Sequence, residues 1–224
     1  MYVCIWFYDN DVVGVQLLKK KGADVTAVSL DKEPDLPKGV RFINADLRNI
    51  SSCEELCKDM DIVFHLAGVT GSPKMTFESP STFMVANLLI NTNMLEAATR
   101  CNVKKYLFTS TYGVYGPDEL MKEDDMWLNP PSDADKYAGW AKRMGELQVE
   151  AYAKEFNFEG LYIVRPANIY GPNLNFNPKN SMVVASLIKR ICDNENPLTV
   201  WGDGSNIRDF VFCDDVASAM IKVV

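Results

Sequence analysis

The sequence predicts an α/β fold: a doubly wound parallel sheet, Rossmann-like, followed by the start of a smaller, truncated C-terminal part. Three observations support this. Short apolar, β-branched runs alternate with longer stretches of helical period. Hydrophobic residues make up 47% of the 224, enough to cover such a sheet on both faces. Polar and small residues gather just after the strand runs, where open parallel sheets bind ligands.

The strand runs lie at 2–7, 25–30, 40–43, 62–66, 106–110 and 161–164. Each is short and rich in Val, Ile, Leu or aromatic residues. Helical patterns fill 12–21, 51–59, 82–101 and 138–155. In the last of these, Trp140, Met144, Leu147 and Ala151 share one stripe. Three segments follow strands and are rich in polar or small residues: HLAGVTGSP, TSTYGVYGP and RPANIYGPNLNF. The stretch 117–135 is acidic, holds prolines and is long for a connector, as loops over sites often are. Beyond about 172 the alternation loosens, so residues 1–171 are expected to form the sheet domain and 172–224 a partial second region interleaved with it. The closing FVFCDDVASAMIKVV reads as a helix barely begun, and the chain is expected to stop short of its natural end.

Composition narrows the class. The net charge is −7 and the basic residues come in short groups such as Lys19-Lys20-Lys21. Nucleic acid and anionic membrane are therefore not expected as partners. The apolar start is too short to span a bilayer and lacks a basic leader. Six cysteines occur without a C-x-x-C pair and there is one histidine, His65. A metal site is not expected, and reduced thiols fit a cytoplasmic protein.

Seven segments, in order, resemble the extended short-chain dehydrogenase/reductase family, in its NAD(P)-dependent nucleotide-sugar epimerase/dehydratase group. They are ADLRN (45–49), DIVFHLAG (61–68), NTNMLEAA (91–98), FTSTYGVYG (108–116), GWAKRMGE (139–146), RPANIYGPNLNF (165–176) and WGDGSNIRDFVFCDDVA (201–217). The resemblance implies a Rossmann-like domain and a C-terminal substrate-binding part. It implies NAD or NADP as cofactor, a nucleotide-sugar substrate and often a dimer built through the helices near 82–101 and 138–155. Hydride transfer through a keto intermediate would then epimerise or reduce a sugar carbon. Residue by residue, it implies Gly14, Asp46, Leu47, Leu66, Ala67, Gly68, Asn87, Lys142 and Pro166 as cofactor contacts. Thr111, Tyr137 and Lys142 stand as catalytic candidates, and Asn168 and Arg208 as substrate contacts. The chemistry suits these types: a phenol of pKa ~10 becomes a usable base beside an ammonium, and a Ser/Thr hydroxyl orients the reacting oxygen.

Four departures from the family pattern stand out. The glycine-rich first turn is reduced to Gly14, with Asp9 and Asp11 where a pyrophosphate would lie. Ser29 replaces the acid usual for NAD at the end of the second strand; with Lys32 nearby, it leans towards NADP. Tyr112-Gly113 follows Thr111, unlike the Asp-Glu of the 4,6-dehydratases, and Gly113 and Met182 do not match the double epimerisation of GDP-fucose synthases. Lastly, KYAGWAK puts Tyr137 five residues before Lys142, with Ala138 at the four-residue spacing. Residues five apart on a helix diverge by ~140°. Tyr137 is thus expected either to reach the site from an irregular first turn or to face away. An inactive relative that works by binding or scaffolding is the alternative function.

Overall fold

The sheet alternation is realised as six parallel strands in the order β3-β2-β1-β4-β5-β6. The computed structural model describes residues 2–5, 12–30, 35–69, 71, 73–117, 120–172, 174–177, 181–200, 202–205 and 207–224. In chain order these form β1 (Tyr2–Ile5), α1 (Val12–Lys20), β2 (Val25–Ser29), β3 (Arg41–Asn44), α2 (Ile50–Cys57) and β4 (Ile62–His65). Then come α3 (Pro73–Glu78), α4 (Pro80–Arg100), β5 (Lys105–Thr109), α5 (Lys136–Phe156) and β6 (Leu161–Val164). The chain closes with β7 (Asn168–Tyr170), α6 (Val183–Cys192), β8 (Phe210–Phe212) and α7 (Cys213–Val223). The strand order reverses direction at β1, between β2 and β4, so the crevice beyond the strand ends there is the natural ligand site.

The six strand runs and four long helices read from the sequence are all present, with ends agreeing within two residues; residues 6 and 7 of the first run lie outside the described residues. The final segment differs from expectation. It is a full helix of 11 residues, not one barely begun. It buries Cys213, Ala217 and Met220 against α1, so the chain returns to the main sheet. Three elements carried no clear pattern: α3, α6 and the β7–β8 pair. β7 and β8 are three residues each, too short for a periodicity signal, and they pair in parallel across the expected boundary at 171/172.

Two layers of core sandwich the sheet. One joins α2, α4 and α5 through Met94, Leu95, Ala98, Tyr106, Phe108 and Val149; the other joins α1 and α7 through Val15, Leu18, Leu107 and Met220. α4 starts with a proline in its first turn, where no backbone donor is lost. α5 ends at Asn157 in the left-handed region, φ 50° and ψ 41°, a conformation asparagine tolerates.

α5 lies unusually close to the sheet because two of its residues lack side chains. A Cβ on Gly145 would stand 2.4 Å from Cζ of Phe108, and one on Gly139 would stand 2.5 Å from the Gly113 carbonyl oxygen. Lys142 sits between them, three residues from each. The approach therefore decides where the Lys142 amine ends up.

Gly145→Ala tests this. Alanine gains about 1 kcal/mol of helix propensity. Overpacking against buried Phe108 costs roughly 1–3 kcal/mol. The net expectation is a lower denaturant midpoint, whereas unchanged or raised stability would mean the approach is not tight.

Candidate active site

Lys142 is the centre of the site. Its Nζ donates to the Thr109 carbonyl oxygen at 2.7 Å, at the last residue of β5, and lies 4.9 Å from the centre of the Phe108 ring. Burial pushes its pKa down to about 8, with the Glu146 carboxylate one turn on pulling the other way. The amine also faces the turn after β4. A Cβ on Gly68 would lie 3.0 Å from Asn87 Oδ1 and 3.6 Å from Lys142 Nζ, so only glycine leaves that space open.

Asn87 on α4 holds the same turn. Its Oδ1 accepts from Val69 N at 2.8 Å, and its Nδ2 donates to Val69 O at 2.9 Å and to Phe83 O at 2.8 Å. One turn further, buried Asn91 bridges His65 and α5. His65 Nε2 donates to Asn91 Oδ1 at 3.1 Å, and Asn91 Nδ2 donates to Ala141 O at 3.4 Å. Burial drives the His65 pKa down to about 3, so the ring is neutral, stacked between Tyr106 and Phe108.

The next strand ends supply a second group. Thr111 caps a 3₁₀ turn at Tyr112–Val114, its Oγ1 accepting from Gly113 N at 3.2 Å. Tyr112 N donates to Pro166 O at 3.2 Å, joining the ends of β5 and β6. The Tyr112 hydroxyl donates to Asn168 Oδ1 at 3.1 Å, and Asn168 Nδ2 donates to Asp209 O at 3.0 Å. Arg208 lies next to this group, near enough to pull the Tyr112 ionisation down. Arg208 is exposed; it donates to its neighbour Ile207 O and makes no ion pair among the described residues.

The structure thus brings together Gly68, Asn87 and Lys142 on one side, and Thr111, Pro166, Asn168 and Arg208 on the other. The remaining candidates lie elsewhere. Gly14 lines a small apolar groove between α1 and α7 with Leu18, Phe64, Ala217 and Met220; a Cβ there would meet nothing within 4 Å among the described residues. Asp9, Asp11 and Lys32 fall outside the described residues. Asp46 is held by Arg48, with Nη2 to Oδ2 at 2.6 Å and Nε to Oδ1 at 2.9 Å; that bonding keeps its pKa below the usual carboxylate range. Leu47 is buried in the core, and its carbonyl accepts from Asn93 Nδ2. Ala67 is buried beside Gly68, and Leu66 packs towards α1 and α7.

Of the two expectations for Tyr137, the geometry of α5 favours the second. No irregular turn carries it to the site. The helix ladder is already regular at its start, with Gly139 N bonded to Asp135 O, and Tyr137 is part of it. Regular geometry turns its side chain ~140° from that of Lys142. It is 37% exposed, with only the Lys136 ammonium over its ring. Ala138 holds the position one turn before Lys142 and offers no hydroxyl.

Sequence reasoning overlooked two arginines and a tyrosine. Buried Arg143 donates to Val114 O at 2.7 Å and Asn129 O at 2.6 Å, with the Trp127 and Trp140 rings 5.6 and 5.0 Å away. Arg165 pairs with buried Glu146 at 2.7 Å and donates to the Tyr115 hydroxyl at 2.9 Å and to Glu123 O at 3.3 Å. Together they fasten the 120–131 loop to α5, to the end of β6 and to the segment after Thr111. An arginine at a core-facing helix position was the available signal for Arg143. Tyr112 was noted only as a departure from a motif.

With this geometry in place, the comparisons with known proteins decide the family. Residues 14–224 match the model of the NAD dependent epimerase/dehydratase family. The chain belongs to this family. A probable GDP-L-fucose synthase of Oryza sativa is 35% identical over 150 residues, 63% of this chain and 45% of that protein. The dTDP-4-dehydro-6-deoxy-D-allose reductase of Streptomyces bikiniensis is 25% identical over 94% of this chain and 68% of its own length. The UDP-glucose 4-epimerase of Thermus thermophilus, solved with NAD, is 26% identical with a TM-score of 0.79, across 100% of this chain and 74% of that one. The chain thus spans less than half of the rice relative. Among the described residues, no helix is long and apolar enough to cross a membrane.

The depressed Lys142 pKa makes a stability prediction. Below about pH 8 the folded protein bears the full cost of burying the ammonium. That cost falls as pH rises from about 8 towards the ordinary lysine value of 10.5, because the folded amine loses its proton before the unfolded one. Lys142→Met is therefore expected to compare most favourably with the parent below pH 8, with its relative advantage shrinking by pH 10. Denaturant midpoints at the two pH values measure this; a pH-independent difference would contradict it.

Proposed function

We propose that this protein epimerises or reduces a sugar carbon of a nucleotide-sugar, using NAD or NADP and passing through a keto intermediate. The observation that supports this most is the Lys142 amine, anchored on Thr109 O and facing the open space at Gly68. Lys142, Gly68 and Asn87 would hold the ribose and nicotinamide end of the dinucleotide. The fit on that side is good: Gly68 leaves a cradle that any Cβ would narrow, and the buried Thr109 Oγ1 and Ser110 Oγ at the end of β5 have no partner among the described residues. The pyrophosphate turn falls on residues outside those described. Ser29 ends β2 in place of an acid, which supports a lean to NADP. When bound, the nicotinamide supplies or accepts the hydride.

The protein's residues handle the rest. Thr111 Oγ1, fixed at the head of its 3₁₀ turn, can donate to the reacting oxygen while it accepts from Gly113 N. Arg208 has no carboxylate on its guanidinium among the described residues, as the diphosphate of a sugar nucleotide would need. Asn168 faces the same space. The loop held by Arg143 and Arg165 packs beside Val114 and Tyr115, which follow Thr111 closely in the chain. The names of the three relatives support the reaction type: a synthase, a reductase and an epimerase, all of nucleotide-linked sugars. A cytoplasmic location belongs to the same reading. So does a homodimer through α4 and α5, whose outer faces expose Val85, Leu89 and Leu147.

A second reading has its own observation. With Ala138 one turn before Lys142 and Tyr137 turned away, the usual phenol is missing, and the protein could bind cofactor and sugar nucleotide without turning them over.

Titration with NADH and NADPH, followed by nicotinamide fluorescence, tests the proposal. Binding is expected, and Lys142→Met should weaken it at least tenfold. Absence of binding at millimolar cofactor would sink the enzyme reading. Where turnover is measured, Thr111→Val should lower kcat by roughly 10²–10³-fold, the cost of one lost donor at a developing oxyanion.

A further inference from the structure

Ala138 leaves a chemical need. Reducing a ketone, or oxidising a hydroxyl, requires a group that gives or takes the oxygen's proton. Lys142 Nζ gives one of its three N–H bonds to Thr109 O, and on the proposed reading the others serve the cofactor ribose. His65, the single histidine, is buried and neutral, with Nε2 bonded to Asn91. A threonine hydroxyl holds its proton too tightly to release it at neutral pH. Tyr137 is turned away on the regular first turn of α5.

Tyr112 meets the need. It directly follows Thr111 and stands half-buried on the 3₁₀ turn beyond β5. Two independent bonds place it: its backbone N on Pro166 O at 3.2 Å and its hydroxyl on Asn168 Oδ1 at 3.1 Å. Asn168 is itself fixed to Asp209 O through Nδ2 at 3.0 Å and through its backbone N at 3.3 Å. The phenol is thus held between the ends of β5 and β6 and the β7–β8 pair, among the residues expected to face the sugar. Its single proton rests on Asn168 Oδ1, and rotation about the Cζ–Oη bond can turn it to a sugar oxygen, leaving a lone pair to accept a further bond.

We propose that Tyr112 replaces the helix tyrosine that position 138 lacks: its phenol hydrogen bonds the reacting sugar oxygen and supplies its proton. This rests on the reading of the site as a nucleotide-sugar epimerase or reductase. The step balances. The carbonyl carbon gains hydride from the reduced nicotinamide, which is oxidised. The C=O π pair forms the new O–H bond with the Tyr112 proton. Tyr112 Oη keeps the bonding pair as phenolate and regains a proton from solvent. The surroundings suit a donor: burial and the Asp135 carboxylate raise the phenol's pKa, more than the Asn168 bond and Arg208 lower it, so the proton is in place at neutral pH.

The test compares the parent with Tyr112→Phe and Tyr137→Phe. Each is titrated with NADH or NADPH, and by calorimetry with UDP-, GDP- and dTDP-hexoses. Each is then assayed with the corresponding 4-keto sugars by loss of dihydronicotinamide absorbance. A cofactor-free difference spectrum with the same hexoses adds a readout in the tyrosine band. Tyr112→Phe is expected to keep cofactor and hexose affinity within about threefold. It should lose roughly 10²–10⁴ in kcat, the usual contribution of a positioned acid–base group. It should also lose the ligand-induced tyrosine signal, while Tyr137→Phe matches the parent throughout. If Tyr112→Phe turns over like the parent, or Tyr137→Phe takes the loss instead, the assignment of Tyr112 falls and the site reading stands. If the parent itself binds neither cofactor nor sugar nucleotide, both fall. Thermal melts separate these outcomes from unfolding: a Tyr112→Phe protein with parent-like affinity and low kcat is folded and chemically impaired. One with parent-like kcat and only a lowered melting point has lost a structural hydroxyl, and the proposal is overturned.

Discussion

The bond from Lys142 Nζ to the Thr109 carbonyl ties the whole site together. It fastens α5 to the end of strand β5, between β4 and the edge strand β6, and it does so with a charged donor in a buried place. A bond to an ammonium is stronger than one between neutral groups, and inside a protein it is less screened. The bond forms because α5 lies almost against the sheet, with Gly139 over Gly113 and Gly145 over Phe108. Larger residues at either position would lift the helix and carry the amine away from Thr109, Gly68 and Asn87 together. The geometry of the site is therefore a consequence of packing, set before any ligand arrives.

The same helix carries the second constraint on its neighbouring positions. Arg143 and Glu146 both point inward, the first to two loop carbonyls and two indole rings, the second to Arg165. Buried ion pairs are poor sources of net stability, since desolvation offsets most of the attraction. What this pair offers is register. Breaking it would leave a charge without a partner, so Arg165, which also holds Glu123 O, keeps one well-defined position. α5 thus positions the amine from one face and the 120–131 loop from the next.

Two departures from the family pattern lie near this frame. Position 138, one turn before Lys142, is half-buried and carries an alanine. Gly14, in the first turn of α1, borders a groove in which a Cβ would meet nothing among the described residues. Positions under packing constraint, such as Gly68, Asn87, Gly139 and Gly145, keep the residue that the geometry demands. On the proposed reading, fold and chemistry have separated along this chain: α5 and the ends of β4 and β5 would frame the nicotinamide, while the reacting proton would come from another strand end.

Much of this architecture was legible in the sequence. Apolar runs of four to six residues separated by 3.6-residue stripes report local burial, and burial on both faces of a strand implies a parallel sheet. That logic alone located β2, β4, β5, β6, α4 and α5, and it put the ligand site beyond the strand ends. Helix arithmetic also separated Tyr137 from Lys142 without coordinates, leaving only an irregular first turn as an escape, which the regular ladder at Asp135–Gly139 closes. The tertiary structure decided what depends on pairs of distant residues: that Asp46 is taken by Arg48, that Gly14 looks towards α7, that β7 finds β8 across forty residues, and that the Tyr112 hydroxyl meets Asn168. Periodicity records which side of an element is buried, because that is a property of neighbours one turn apart. Which two atoms then come within 3 Å depends on how elements stack, and no local pattern encodes that distance.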